Sequence, residues 1–183
     1  MKIDKEYLKR EAKEWLNSIV VALILTLIIR TFVVQAFKIP SGSMIPTLKI
    51  GDKLFVSKYI YRFHAPQRGD IIVFKYPEDP KKDFIKRLVA VEGETVEIRD
   101  GKILVDGKVL DDPKTFGKFV YYNHGPYGDP GQGTLVPKDS FFVLGDNSGN
   151  STDSRFWGFV PKKNLVGKAI FRWWPLTRMG KIR

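Results

Sequence analysis

Three stretches of this sequence hold side chains whose types and spacing suit bond-breaking chemistry. The first, "FKIPSGSMIPTLK", sets Ser41 and Ser43 on either side of a glycine and between two prolines. By residue type alone it is a turn, because proline fixes φ, glycine takes unusual backbone conformations and serine hydroxyls bond their own backbone. To act as a nucleophile, a serine also needs a neighbouring base. The two histidines, His64 in "RFHAP" and His124 in "NHGPYG", stand in loop-like surroundings, and no Gly-x-Ser-x-Gly elbow is present. A Ser-His-Asp triad assembles in space rather than along the chain, so the sequence leaves it open without supporting it.

Lysine is the other base on offer. "DFIKRLVAV" places Lys86 in an apolar run, with Phe84 and Leu88 on its own face of a regular strand. To accept a proton near neutral pH it must be buried among apolar neighbours, which disfavours the ammonium. Lowering a lysine pKa by about 3 units costs roughly 4 kcal/mol, so a packed domain has to support it. Arg87 points to the opposite face and stays protonated. Taken alone, Lys86 also fits a solvated edge lysine.

The third stretch, "LGDNSGNSTDSRFWGFVP", is a dense polar cluster behind an apolar strand. With Asp146 at position one, an EF-hand calcium loop needs glycine where Ser151 stands and glutamate where Trp157 stands, so that reading fails. A loop held by its own Asx and Ser turns is the plainer alternative. Asn150-Ser151-Thr152 also formally matches a glycosylation acceptor. Cysteine is absent, which excludes disulfides, thiol nucleophiles and cysteine-rich metal sites.

The elements that must position these groups are mainly β. Short apolar runs alternate with turn signals: "KLFVSKYI", "DIIVFKY", "FIKRLVAV", "TVEIRDGKILVDGKVL", "SFFVLGD" and "LVGKAIFRWW" read as strands. Asp100-Gly101 and Asp106-Gly107 mark tight hairpin turns. Residues 111–133, rich in Pro, Gly, Tyr and Asn, read as a long loop or an excursion from the core, and no helical period shows outside the N-terminal segment. Before this domain, "WLNSIVVALILTLIIRTFVVQAF" holds no charge from Trp15 to Ile29. Reaching about 30 Å of hydrocarbon requires the helix to continue past Arg30, whose head snorkels outward. Lys2, Lys5, Lys9, Arg10 and Lys13 precede it, which puts the N-terminus on the cytoplasmic side. A buried core helix and a cleaved signal peptide are the rival readings. Arg30 interrupts the path to a small-residue cut site at Val34 and Ala36, and "TFVVQAFKI" leads into the fold as a strand, which favours a retained anchor. The layout expected is a tail over residues 1–14, a transmembrane anchor over 15–33 and an extracytoplasmic domain over 34–183.

The formal charge of +11 suits nucleic acid, an anionic membrane surface or an acidic ligand. No nucleic-acid motif accompanies it, whereas the basic C-terminal stretch around Trp173 and Trp174 suits a membrane interface.

Together and in this order, the anchor, "IPSGSMIPTL", "RGDIIVFKYP", "FIKRLVAVEGE" and "GDNSGNSTDSRFWGFVP" resemble the bacterial type I signal peptidases, from about Trp15 to Pro175. The resemblance implies a signal-peptidase-like β domain and a Ser–Lys dyad that removes signal peptides from exported preproteins, with no metal or cofactor. Ser43 corresponds to the nucleophile and Lys86 to the general base. Ser41 matches the hydroxyl that forms the oxyanion hole with the Ser43 N–H, and Ser151 the residue that orients the lysine. Asp153 and Arg155 match a charged pair that holds the site in shape, and Gly145 the glycine of the same loop. Signal peptides, the bilayer and the protein-export machinery are the implied partners, nucleic acid is not, and the implied location is the plasma membrane. Three positions depart from the family's pattern: Ser148 stands where a basic residue is usual, and Glu92 and Glu94 replace proline and aspartate, which should alter a turn rather than the reaction. A specialised maturation peptidase of a secretion, pilus or conjugation system shares the chemistry. Self-cleaving repressors share it too but need a DNA-binding domain, and an inert membrane-anchored binding module is the non-enzymatic alternative.

Overall fold

The structure, a computed structural model, describes residues 5–28 and 34–182. Helix α1 spans Lys5–Ile28. Among the described residues twelve strands follow: β1 (Val34–Lys38), β2 (Lys53–Ser57), β3 (Ile71–Lys75), β4 (Asp83–Val91), β5 (Thr95–Arg99), β6 (Lys102–Val105), β7 (Lys108–Val109), β8 (Thr134–Leu135), β9 (Ser140–Leu144), β10 (Val160–Pro161), β11 (Leu165–Trp174) and β12 (Gly180–Lys181). A one-turn helix, α2 (Ser154–Trp157), lies between β9 and β10.

The larger sheet runs β1-β2-β11-β3-β4-β9-β10, with β12 paired to β11, and the smaller runs β7-β6-β5-β8. Its hairpins form where the sequence places Asp-Gly pairs. Asp100 and Gly101 take φ of 53° and 76°, and Asp106 and Gly107 take 49° and 74°, the doubly positive geometry of a tight hairpin turn. In the larger sheet β3 and β9 are buried over nearly their whole length, so both faces are covered. One face packs Ile72, Phe74, Leu88, Phe141 and Val143 together, and another cluster gathers Met44, Leu48, Leu54, Val56 and Val73.

Three expectations are revised. Residues 111–133 form the long loop rather than an excursion, and the loop joins the core: Phe116 and Tyr121 are buried with Val96, Ile98, Ile103 and Phe142, and the Tyr121 N–H donates to the Gly101 carbonyl. Alternation is the signal for a strand, and irregular backbone carries none, so these buried aromatics were illegible as core. The helix α2 was also unexpected, since a single turn is too short to show a period. Finally, α1 begins at Lys5 rather than Trp15, so its first turns are charged. Its apolar run from Trp15 to Ile28 reaches about 21 Å at ~1.5 Å per residue, and among the described residues no helix is long and apolar enough to cross a membrane. Residues 29–33, on which the rest of the expected span falls, lie outside the described residues.

Candidate active site

Lys86 sits in β4, opposite Ile72 of β3, and is 4% exposed. Both faces of the strand are covered here, which resolves the face that parity left open: Leu88 is buried on the lysine's side and Arg87 is fully buried on the other. The Lys86 Nζ lies 2.7 Å from Ser43 Oγ and 5.5 Å from the centre of the Phe84 ring. Burial pushes the lysine down from its ordinary 10.5 to about 8, against the opposing pull of Asp153 and with help from Arg155. A charged ammonium brings three donors, and Ser43 Oγ is the one hydrogen-bond partner it has among the described residues. The ammonium is therefore poorly satisfied here, in line with its lowered pKa.

Ser43 lies outside any strand, so its place is set by what grips its turn. The Asn147 N–H donates to the Ser43 carbonyl at 3.0 Å, and Asn147 Nδ2 donates to the Gly42 carbonyl at 3.1 Å. Such an approach requires Gly145: a β-carbon there would stand 2.5 Å from the Ser43 carbonyl oxygen and 2.2 Å from Ser151 Oγ. Gly145→Ala is therefore expected to destabilise the fold by about 3 kcal/mol, at the upper end of overpacking costs, read as a lowered urea midpoint.

The polar cluster organises around two buried ion pairs. Arg87 forks onto Asp146, Nε to Oδ1 and Nη2 to Oδ2, both at 2.7 Å, and Nη1 donates to the Gly69 carbonyl. Asp146 Oδ2 also accepts from Thr47 Oγ1 at 2.5 Å, tying the pair to the serine turn. Arg155, also fully buried, forks onto Asp153 with both bonds at 2.8 Å. Asp153 Oδ2 further accepts from the Gly145 N–H at 2.9 Å and from Ser151 Oγ at 2.7 Å.

The expectation that Ser151 orients Lys86 meets a different arrangement here. Its hydroxyl proton is committed to Asp153, and among the described residues no Ser151–Lys86 hydrogen bond forms. Ser148 fills its departure from the pattern by small size: Arg155 Nη1 donates to its Oγ at 2.7 Å, and that oxygen also accepts from the Tyr122 N–H. Arg155 Nη1 bonds the Tyr122 carbonyl as well. Glu94 Oε2 accepts from the Val91 N–H and Glu92 Oε2 from the Asp139 N–H, so both carboxylates serve turns.

A cleft of roughly 350 Å³ opens over the pair, with Ser41, Ser43, Phe84, Lys86, Asn150 and Thr152 among its walls. Ser41 is exposed at its rim. Among the described residues neither the Ser43 N–H nor the Ser41 hydroxyl has a hydrogen-bond partner, so both are free to donate to an oxygen in the cleft. The histidines stay away from it: His64 is exposed, and His124 stacks on Tyr122 with ring centres 6.1 Å apart. Sequence reasoning missed Thr47, Asp146 and Tyr122 as supports. For Asp146 the signal was present, a second acid in a cluster facing an apolar strand that carries an arginine.

The chain has relatives. The profile of the family described as signal peptidase, peptidase S26 matches residues 12–174. The signal peptidase I of Leptolyngbya laminosa is 43% identical over 176 residues, covering 92% of this chain and 83% of that protein. The probable signal peptidase I-1 of a Synechocystis strain is 43% identical over 178 residues, 93% of this chain and 86% of that one. A crystal structure of a signal peptidase I from Enterococcus faecalis superimposes with a TM-score of 0.47 at 32% identity, over 57% of this chain and 97% of that one.

Proposed function

Because the chain belongs to the signal peptidase, peptidase S26 family, we propose that it is a serine endopeptidase that removes N-terminal signal peptides from exported preproteins, with Ser43 as nucleophile and Lys86 as general base. The observation that carries the residue assignment is the 2.7 Å contact between Lys86 Nζ and Ser43 Oγ in a buried site. Neutral Lys86 takes the Ser43 proton as Oγ bonds to the scissile carbonyl carbon. The Ser43 N–H and the Ser41 hydroxyl receive the oxyanion, each such donor being worth about 3–4 kcal/mol. The ammonium of Lys86 then protonates the leaving amine as the C–N bond breaks. Water adds to the acyl-enzyme by the same route and frees Ser43. Gly145, Ser151, Asp153 and Arg155 touch no reacting atom in this scheme and hold the loop in place.

The strand register supports an extended substrate. β3 pairs with β4 from Asp83 to Arg87, while β9 pairs with it only from Arg87 to Val91, so the stretch from Asp83 to Lys86 keeps an open edge along the cleft. A peptide laid there as an added strand presents its carbonyl to Ser43.

Membrane attachment is part of the proposal. The exposed apolar side chains Trp15, Leu16, Leu23, Leu25 and Leu27 of α1 support it, as do the basic residues Lys9, Arg10 and Lys13 before them. In this reading residues 15–33 anchor the chain in the plasma membrane with the N-terminus inside and residues 34–183 outside. A nucleophile shortly after the anchor meets a signal peptide as it leaves the same bilayer.

Two results test the reading. A detergent-solubilised preprotein whose signal ends in Ala-x-Ala should be cut after that motif by the wild type and left whole by folded Ser43→Ala; a folded wild type that cuts nothing overturns the proposal. The pH profile has a definite sign. Protonated Lys86 cannot accept the serine proton, so kcat/KM should rise with pH through about 8 and level off above it. A limb near the ordinary histidine range would move the base elsewhere.

A further inference from the structure

The C-terminal segment grips the serine turn from behind. Arg172, in β11, donates from Nη1 to the Thr47 carbonyl at 3.0 Å, and Arg178 donates to the same oxygen from Nη2 at 3.3 Å. Arg178 Nη1 also donates to Asp52 Oδ1 at 3.1 Å, and Arg172 Nη1 stands 3.6 Å from Asp52 Oδ2. That carboxylate is 2% exposed and accepts from the Lys49 N–H at 2.9 Å. Arg172 Nε donates to the Arg178 carbonyl at 2.5 Å, closing the segment on itself. Both lone pairs of one peptide oxygen are thus taken by guanidinium groups, and neither arginine lines the cleft.

The oxygen so held belongs to a residue that reaches Ser43 by two short routes. The Leu48 N–H donates to the Met44 carbonyl at 2.8 Å, making residues 44–48 one tight turn. Thr47 Oγ1 bonds Asp146, which stands between Gly145 and Asn147 in the loop that holds Ser43. Lys86 is fixed by sheet pairing to Ile72, whereas Ser43 is fixed only through such grips. We propose that Arg172, Arg178 and Asp52 form a clamp that sets the distance of Ser43 from Lys86, which makes Arg178 a positioning residue for acylation. The inference rests on Ser43 being the nucleophile. A displacement near 1 Å at a reacting atom can cost about 100-fold in rate.

The test is Arg178→Gln in the full chain, with Arg178→Lys beside it and Lys181→Gln as a control outside the clamp. Each is followed by peptide cleavage and by labelling of Ser43 with a serine-reactive acylating probe. The expected result for Arg178→Gln is a kcat lower by about 30- to 100-fold, KM changed less than ~2-fold, and labelling that runs slowly to full stoichiometry. Arg178→Lys should recover part of the rate, because one ammonium reaches the carbonyl or the carboxylate but not both acceptors in a fork. Lys181→Gln should match the wild type. Labelling that stops short while each labelled site reacts at the normal rate means only a loss of folded protein and overturns the clamp, as does an unchanged kcat. If Arg178→Gln does not fold, the same readouts on Arg178→Lys decide: wild-type acylation by a folded Arg178→Lys overturns the clamp, and slow, complete labelling supports it. A wild type that the probe never labels at Ser43 instead overturns the nucleophile assignment on which the clamp rests.

Discussion

Lys86→Met is expected to lose cleavage by about 10³-fold or more, toward the upper end for a general base, while gaining stability at neutral pH. The two effects share one cause. In the folded chain the lysine is pushed down to about 8 from 10.5, chiefly by burial. Below pH 8 both folded and unfolded chains hold the proton, and the fold bears the whole cost of burying a cation, about 3 kcal/mol by the usual conversion. Between about 8 and 10.5 the unfolded chain binds a proton that the folded one lacks, so raising the pH through this window stabilises the wild type. Above the window the penalty is gone. Methionine has nearly the same length and no charge, so the variant has no such slope. Urea unfolding of both proteins at pH 7 and at pH 10.5 checks this: the variant should lead by a few kcal/mol at the lower pH and lose most of that lead at the higher. A gap that does not change with pH would mean that Lys86 is not buried as a base. The trade of stability for activity is of the general kind seen where a site must hold a strained or desolvated group.

Arg155→Ala is expected to cost about 3–5 kcal/mol of stability, the range for breaking one side of a buried ion pair. Five bonds from its side chain, to Asp153, Ser148 and Ser151, are lost together, along with its contact to the Tyr122 carbonyl, and Asp153 is left as a buried charge facing Lys86. Arg155→Lys should rescue little, since an ammonium cannot fork onto a carboxylate and still reach three carbonyls. The sign of a second effect follows from the charges. Arg155 lowers the Lys86 pKa and Asp153 raises it. In whatever fraction of Arg155→Ala remains folded, Lys86 should therefore hold its proton more tightly, and the activity limb should move to higher pH. Unfolding curves measure the first effect and a pH–rate profile on the folded fraction the second. A limb that stays in place would separate the arginine's structural role from any hold on the lysine.

Much of the fold was legible because it is built from signals that act locally. The six strand runs and the two Asp-Gly turns depend on alternation and on backbone freedom at adjacent residues, and each appears where the sequence places it. The Ser43–Lys86 juxtaposition was legible only through motif order: parity put Phe84 and Leu88 beside the lysine but could not tell that both faces of β4 are buried. Arg87 shows the limit. A guanidinium cannot be a base, but the same planar group serves as a fork for Asp146, which the sequence does not show. By pattern Ser148 is a missing cation, yet its small hydroxyl accepts from Arg155 in a space that a long side chain would fill. Phe116 and Tyr121 were illegible for another reason, since irregular segments join a core by tertiary contact rather than by period. The N-terminal helix was recognised by its apolar run, but its start at Lys5 could not be read from charges that also suit a tail.

The distances along the chain between the parts of the site set when it can exist. Lys86 joins Ser43 across 43 residues, but the bond from Thr47 to Asp146 spans 99 and that from Asn147 Nδ2 to Gly42 spans 105. A chain that ends at β4 carries Ser43 and Lys86 but lacks the loop around Gly145 that grips the serine turn. Contacts so far apart form late, because the intervening loop must close first. The last third of the polypeptide therefore supplies the contacts that close the site around the serine turn.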